Sequence, residues 1–327
     1  MNGYLVRELD LSLFINHFLM SQLDITTIIL TFNEEIHIRR CLENAFRVAK
    51  EVFVIDSFST DRTVEIAKEC GATVLQHKYV NQAQQFQWAL DNCSIATAWT
   101  LRMDADEYLT DELIDELTYK LPTLPDDVTG CVLPLRVVFM GKMLKHGLRH
   151  QVQILRLWRT GTVYMEQRWM DERCVLTRGK AISMKNSFVD HNLKGLGEFT
   201  IKHNGYSNRE AFVEINRRYQ LVKDKESDEL SSRNSQKSSY YKLPPFFRAF
   251  MYFFVRYFVF LGFLDGLRGF VWLTLQAYWY RFLVDAKLYE MEKKLGKNPT
   301  REEIIGYVIT FWKIPLSDKT SVSQRQG

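Results

Sequence analysis

The chain has 327 residues, 46% of them hydrophobic, which is enough apolar material for one large or two ordinary domains and excludes a disordered protein. Its 43 lysines and arginines against 39 aspartates and glutamates leave a net charge of +4, with no basic run or stacking-aromatic module, which argues against nucleic acid as a partner. The five cysteines, Cys41, Cys70, Cys93, Cys131 and Cys174, are scattered and never spaced Cys-x-x-Cys, so neither a disulfide framework nor a zinc site is suggested and a reducing compartment suits them.

Residues 1–22 lack the basic region and cleavage site of a secretory signal and read as an added amphipathic helix. From Asp24 strand and helix signals alternate. The β-branched run "ITTIILTF" is followed by "EEIHIRRCLENAFRVA" with apolar residues at helical spacing, then by strand "EVFVID" and helix "TVEIAKECG", closed by Gly71. Strand "ATVLQH", helix "NQAQQFQWALDNC" and strand "AWTLRMDAD" come next, and "TDELIDEL" opens another helix. Such alternation implies βαβ units and a mostly parallel sheet, in which ligands sit at the carboxyl ends of the strands. Thr31, Asn33 and Glu34, then Asp56 and Ser57, then Asp104 and Asp106 occupy those ends, and one crevice could collect them all.

After "LPTLPDD" the segments shorten, consistent with added antiparallel strands, which divides a catalytic domain over 23–222 into halves 23–120 and 121–222. Residues 223–242 are polar and low in complexity and read as a linker or mobile loop. Residues 243–298 are aromatic and basic. Arg248, Arg256, Asp265, Arg268 and Arg281 interrupt every window long enough to span a bilayer, so the expectation is of helices lying in a membrane interface, against the alternative of an ordinary buried hairpin. Residues 299–327 are expected to form a C-terminal tail.

In "LRMDADEYL", Leu101 to Leu109, the pair Asp104 and Asp106 at a strand end suits a hard divalent cation, which takes oxygen ligands and is often held by one or two carboxylates plus substrate phosphates. Favourable placement at a helix N-terminus explains Asp111 and Glu112 but not that pair. Glu107 either supports the site or begins the helix. In "VIDSFSTDRTVEIA", Asp61 reads as structural and Asp56 as ligand-facing.

Together "TIILTFNEEIHIRRCLENA", "VFVIDSFSTDRTVEIA" and "LRMDADEYLTDEL" resemble the nucleotide-sugar half of family 2 glycosyltransferases with a GT-A fold, over residues 24–117. Through "VFMGKMLKHG", "QILRLWRTG", "VDHNLKGLGEFTIKHNGYS" and "GFLDGLRGF" the chain is similar, to about residue 290, to lipopolysaccharide-core β-1,4-glucosyltransferases. The resemblance implies an α/β fold in which Thr31, Asn33 and Glu34 line the nucleotide pocket and Asp56 lies near the uracil. It places Asp104 toward the ribose or sugar, and Asp106, with Asp104, on Mg²⁺ or Mn²⁺. Arg102 would meet the donor, unless it pairs with a neighbouring acid. The family's general base matches Glu172; Asp171, where relatives carry histidine, competes for that role, and the pair could also be two solvated loop acids. Gln153, Arg156, His146 and His191 fall in shared segments and are candidates for the diphosphate or acceptor, although lone histidines are more often structural. Gln84, Gln85 and Gln87 read by default as an exposed helix face.

These expectations describe an inverting, metal-dependent enzyme moving a hexose from a UDP-sugar to a lipid-linked saccharide at the cytoplasmic face of the inner membrane, in lipopolysaccharide or cell-surface glycan synthesis. The alternatives are a soluble or protein acceptor, with the C-terminal helices forming a homodimer, and a catalytically silent nucleotide-sugar binding module. A dinucleotide enzyme is disfavoured because no GxGxxG follows the first strand.

Overall fold

The computed structural model describes residues 23–148, 152–166, 173–221, 240–314 and 316. The chain packs as two compact units, one running to Leu193 and a second that runs from Lys194 and takes in His146–Leu148.

The first unit is the expected α/β layer structure. Its elements are β1 (Leu23–Thr31), α1 (Ile38–Ala45), β2 (Ala49–Asp56), α2 (Thr63–Glu69), β3 (Thr73–Gln76), α3 (Gln82–Asn92), β4 (Trp99–Asp104), β5 (Glu107–Leu109) and α4 (Asp111–Lys120). They continue as β6 (Val128–Phe139), β7 (Lys142–Met143), β8 (Val152–Arg159), β9 (Val163–Met165), β10 (Cys174–Leu176), β11 (Lys180–Ser183) and β12 (Phe188–Asp190). The main sheet has the order β3-β2-β1-β4-β8-β6-β12-β5. The first four strands pair in parallel, β8 enters antiparallel to both β4 and β6, and β12 returns parallel to β6. Burial on both faces suits β1, whose residues Ile25 to Ile29 are all fully buried, with Thr26 and Thr27 among them. One face packs Ile25, Ile29, Leu101 and Met103 against Leu42 and Ala45 of α1 and Leu113 and Leu117 of α4. The other packs Ile28, Ile55 and Trp158 against Phe86 and Ala89 of α3.

The second unit is helical: α5 (Leu196–Tyr219), α6 (Phe247–Phe254), α7 (Gly266–Leu273), α8 (Tyr280–Leu295) and α9 (Arg301–Trp312). Here packing and the expected boundaries differ. Residues 194–221 fall with the helices, because Ala211, Phe212 and Ile215 of α5 share a core with Val284, Leu288 and Met291 of α8 and Ile304, Tyr307 and Val308 of α9. Residues 301–312 are a helix rather than a tail, started by a capping box in which Thr300 accepts from the Glu303 amide and Glu303 reaches back to the Thr300 amide. The extension 1–22 and most of the expected linker 223–242 lie outside the described residues. No single described helix is long and apolar enough to cross a membrane; Phe247–Val259 and Gly262–Leu295 pass by length and composition only as a pair, bent by 72°.

Candidate active site

The carboxyl ends of β1, β2 and β4 lie side by side, since Thr31 registers with Asp56 and Leu30 with Asp104. At the spacing of neighbouring strands, Asp56 and Asp104 flank the end of β1 about 10 Å apart.

The buried Asp56 carboxylate accepts from Thr31 Oγ1 (3.3 Å), the Ser59 amide (2.9 Å) and Gln76 Nε2 (3.0 Å), and also from the Ser59 hydroxyl. Asn33, at φ +54°, turns the chain after β1; its amide donates to Ser59 Oγ (2.8 Å) and its Oδ1 accepts from the Thr60 amide (2.8 Å). Asparagine tolerates that left-handed conformation better than most side chains. The Glu34 amide donates to Thr63 Oγ1 (2.7 Å), and the Asp61 carboxylate accepts from the Glu35 and Thr63 amides, the structural role expected of it. Thr31, Asn33, Glu34 and Asp56 are therefore brought together, but Asn33 and Glu34 also lace two loops to each other. Neither Ser59 nor Thr60 caps α2, which begins after Arg62.

Around β4 a second cluster forms. Arg156 is buried, and its Nη2 donates to Asp104 Oδ2 (3.2 Å) and Glu107 Oε1 (2.6 Å), while the guanidinium lies 5.0 Å from the Phe188 ring centre. Its Nε and Nη1 are buried with no partner among the described residues. A bulge places this residue. The β6–β8 register passes from Cys131↔Leu157 to Val132↔Leu155, so Arg156 is the extra residue of β8. The parity of the strand shifts across it: Ile154 and Leu157 face one core, and Leu155 and Trp158 the other. Burial opposes the Arg156 charge, but Glu107 and Asp104 outweigh it and raise its pKa.

Glu107 resolves in favour of support for the site. It is buried in β5, its Oε2 accepting from the Asp104 amide at 2.9 Å, and burial pushes its carboxyl well up, Asp104 adding to that push against the pull of Arg156. A signal for this existed: Met103, Ala105, Glu107 and Leu109 alternate as an inward-facing set, with three apolar members. The helix begins only at Asp111, capped by Thr110, with Asp111 and Glu112 in its first turn as expected.

Arg102 Nη2 lies 3.9 Å from Asp104 Oδ1, and its guanidinium lies 5.1 Å from the Phe86 ring centre. Asp106 Oδ2 accepts from Asn192 Nδ2 (2.9 Å), and its carbonyl accepts from Arg40 Nη2 (3.1 Å) and the His191 amide (3.0 Å). Arg40 also donates to the His191 carbonyl (2.8 Å) and, through Nη1, approaches His191 Nδ1 (3.1 Å). Burial, then Arg40 and His37, pull the His191 pKa below its ordinary value, so the ring is neutral, accepts at Nδ1 and carries its proton on Nε2. The buried His37 is oriented in turn: its Nε2 accepts from the Leu193 amide (2.7 Å) and its Nδ1 donates to Glu34 (2.5 Å). Sequence reasoning missed Arg40, His37 and Asn192. Only the i, i+3 spacing of Glu34 and His37 offered a cue.

Other expectations resolve differently. Gln153 is exposed, and among the described residues no contact joins it to this cluster. His146 belongs to the second unit, where it binds Asp265. Gln85, read as exposed, is buried and linked to His77 Nδ1 (2.7 Å) and Ser57 Oγ (3.2 Å). Asp171 and Glu172 lie outside the described residues. The five thiols are free, and burial pushes Cys93 up to about 11 and Cys131 up to about 12, so neither is a nucleophile at neutral pH.

Among the described residues no group of three or more histidines, cysteines or acids could hold a metal. Asp104 and Asp106, both partly exposed, supply two hard oxygen donors and leave the rest of a coordination sphere to a ligand, which fits Mg²⁺ or Mn²⁺ carried with a diphosphate better than a protein-built cage.

Residues 26–188 match the family model for glycosyl transferase family 2, and the chain belongs to that family. A lipopolysaccharide core biosynthesis glycosyltransferase of Rhizobium meliloti, LpsC, is 25% identical over 83% of this chain and 94% of its own. An uncharacterized glycosyltransferase of Rickettsia typhi is 41% identical over 29% of this chain, a stretch that spans only 32% of that relative. Among solved structures, the mannosyltransferase PcManGT of Pyrobaculum calidifontis, in complex with GDP-Man and Mn²⁺, is 14% identical over 87% of this chain and 79% of its own, with a TM-score of 0.39. Glucosyl-3-phosphoglycerate synthase of Mycobacterium tuberculosis, in complex with Mn²⁺, UDP and glucosyl-3-phosphoglycerate, is 21% identical over 34% of this chain and 44% of its own, with a TM-score of 0.29. Neither overlap is close enough to carry a residue across.

Proposed function

We propose that the protein is an inverting glycosyltransferase that moves a hexose from a UDP-sugar to a lipid-linked saccharide of the lipopolysaccharide-core type, at the cytoplasmic face of the inner membrane. The observation that carries the reading is the row of polar strand ends, Asp56, Thr31 and Asp104, with Asp106 in the turn just beyond, in a chain whose family transfers sugars from activated donors. In this reading Asp56, held by four donors, would receive the base, and Asp104 would take the ribose or sugar hydroxyls. A Mg²⁺ or Mn²⁺ ion held by Asp106, with Asp104, would neutralise charge gathering on the departing diphosphate. Beside those acids lies the buried Arg156, which pairs with Asp104 and Glu107 and keeps positive charge next to the carboxylates. The acceptor hydroxyl needs a base, and the family resemblance assigns this to Glu172, with Asp171 as its rival. Similarity to LpsC over nearly its whole length supports the lipid-linked acceptor.

The test is a thermal-shift screen of UDP-, GDP- and dTDP-sugars with and without divalent ion, followed by transfer assays on the stabilising donor. Stabilisation by a UDP-sugar that requires metal is expected; its absence across all donors overturns the assignment. Glu172→Gln should abolish transfer while leaving donor binding near normal, whereas the same result from Asp171→Asn alone would move the base to Asp171.

A further inference from the structure

The second unit carries a concentration of exposed apolar side chains that its own packing does not explain. Phe247, Phe250, Phe254 and Phe258 form a stripe at i, i+3, i+7 and i+11, all between 40% and 52% exposed. Val259, Leu261, Phe263, Leu264, Leu267 and Phe270 extend it around the bend, Leu267 being 76% exposed. The charges in this stretch are nearly all turned the other way. Arg248 pairs with Asp285 inside the unit, the Arg256 Nε donates to the Gly147 carbonyl (2.7 Å), and Asp265 accepts from the His146 amide (2.9 Å). Asp265 and Asp285, the only acids between residues 240 and 289, are both buried, while Lys242 and Arg268 are exposed.

The bend is a built shape. Leu261 turns the chain at φ +56°, and Phe260 accepts from the Gly147 amide at 2.8 Å. A Cβ at Gly262 would stand 2.8 Å from the Arg256 carbonyl, and one at Gly269 2.7 Å from the Gly262 carbonyl, so the two limbs close on each other only because both residues are glycine. The first limb, Phe247–Val259, is thirteen helical residues long, about 20 Å, well short of a hydrocarbon core of about 30 Å.

We infer that the bent hairpin from Phe247 to Phe270 is a rigid wedge that enters one leaflet of an anionic bilayer without crossing it, with Leu264 and Leu267 near its tip. The bilayer is favoured over a second copy of the chain because the exposed face is aromatic and its one exposed charge is the cation Arg268, with both acids between residues 240 and 289 buried, a composition that suits an anionic lipid surface. The wedge sharpens the membrane side of the proposed function and does not depend on the donor assignment.

The test is flotation of the full chain with vesicles of phosphatidylethanolamine and phosphatidylglycerol. Wild type should float, and Leu264→Asp with Leu267→Asp should lower the bound-to-free ratio at least about tenfold with an unchanged melting temperature. Tyr119→Asp, at an 80% exposed site in the first unit, should float as wild type does. If the double variant does not fold, Leu267→Asp alone carries the comparison. Undiminished flotation of the folded variant overturns the wedge, as does a wild type that ignores vesicles and forms a dimer that the same substitutions dissolve. Donor binding, followed separately by thermal shift, should be equal in wild type and variants, so failure of the wedge and failure of the donor assignment are distinguishable.

Discussion

Each unit buries an arginine against a carboxylate, and the two pairs differ in what remains open beside them. In the first unit Arg156 meets Glu107 where both are hidden, yet its third partner, Asp104, keeps a side chain 30% exposed at a strand end. In the second, Arg248 and Asp285 are 2% and 1% exposed and sealed from solvent. A buried pair costs desolvation and returns it only when every donor and acceptor is placed. The first pair leaves two buried guanidinium nitrogens without a partner among the described residues, beside a partly open carboxylate; the second clamps α6 to α8, with the Phe246 amide also donating to Asp285 at 2.7 Å.

The sharpest way to break this contrast is to remove a charge from each side. Asp106→Ala should lower kcat/KM about a thousandfold, about 4 kcal/mol of transition-state stabilisation, with little change in unfolding midpoint; steady-state kinetics and denaturant titration together check it. Arg248→Met should do the reverse, leaving donor-induced thermal shift intact while costing about 3 kcal/mol of stability, because it strands Asp285 unpaired; Arg248→Met with Asp285→Leu should recover part of that loss. Thr300→Ala should cost about 1 kcal/mol through the lost cap of α9, and a smaller effect would mean that the helix contributes little to the shared core.

A pH titration adds the smallest effect. His203 of α5 donates from Nδ1 to the Phe199 carbonyl (2.8 Å) and stacks on the Phe199 ring, and burial holds its pKa below the ordinary 6.5. The unfolded chain thus binds the proton more readily than the folded one, and stability present above about 6.5 is lost as pH falls below it. His203→Gln should flatten the decline in melting temperature between neutral pH and pH 5.

The strand ends were legible in the sequence because alternation and apolar runs place a strand, and the last polar residue of a strand declares itself. Asp56 and Asp104 came out that way, with Asp106 in the turn just beyond β4. The direction of a polar side chain did not. Gln85 read as part of an exposed helix face and turned out buried, since nothing in a single chain says that it will find His77 and Ser57 as partners. The same blindness affected the C-terminal helices, where Arg248, Arg256 and Asp265 looked like interruptions of an apolar surface and instead point into the unit, leaving its outer face greasier than composition suggested. Arg156 stood in a regular-looking strand, and only the register exposes the extra residue.

That extra residue separates two tasks that strands usually combine. On either side of it, Leu155 and Leu157 keep their own partners on β6, so the pairing of the sheet does not depend on the side chain between them. The backbone frame at position 156 is therefore set by its neighbours, and the arginine itself is held by Glu107 and Asp104. Replacing the side chain would strand Glu107 in the core, as Arg248→Met strands Asp285, so at this bulge the backbone fixes the register and the buried pair fixes the charge.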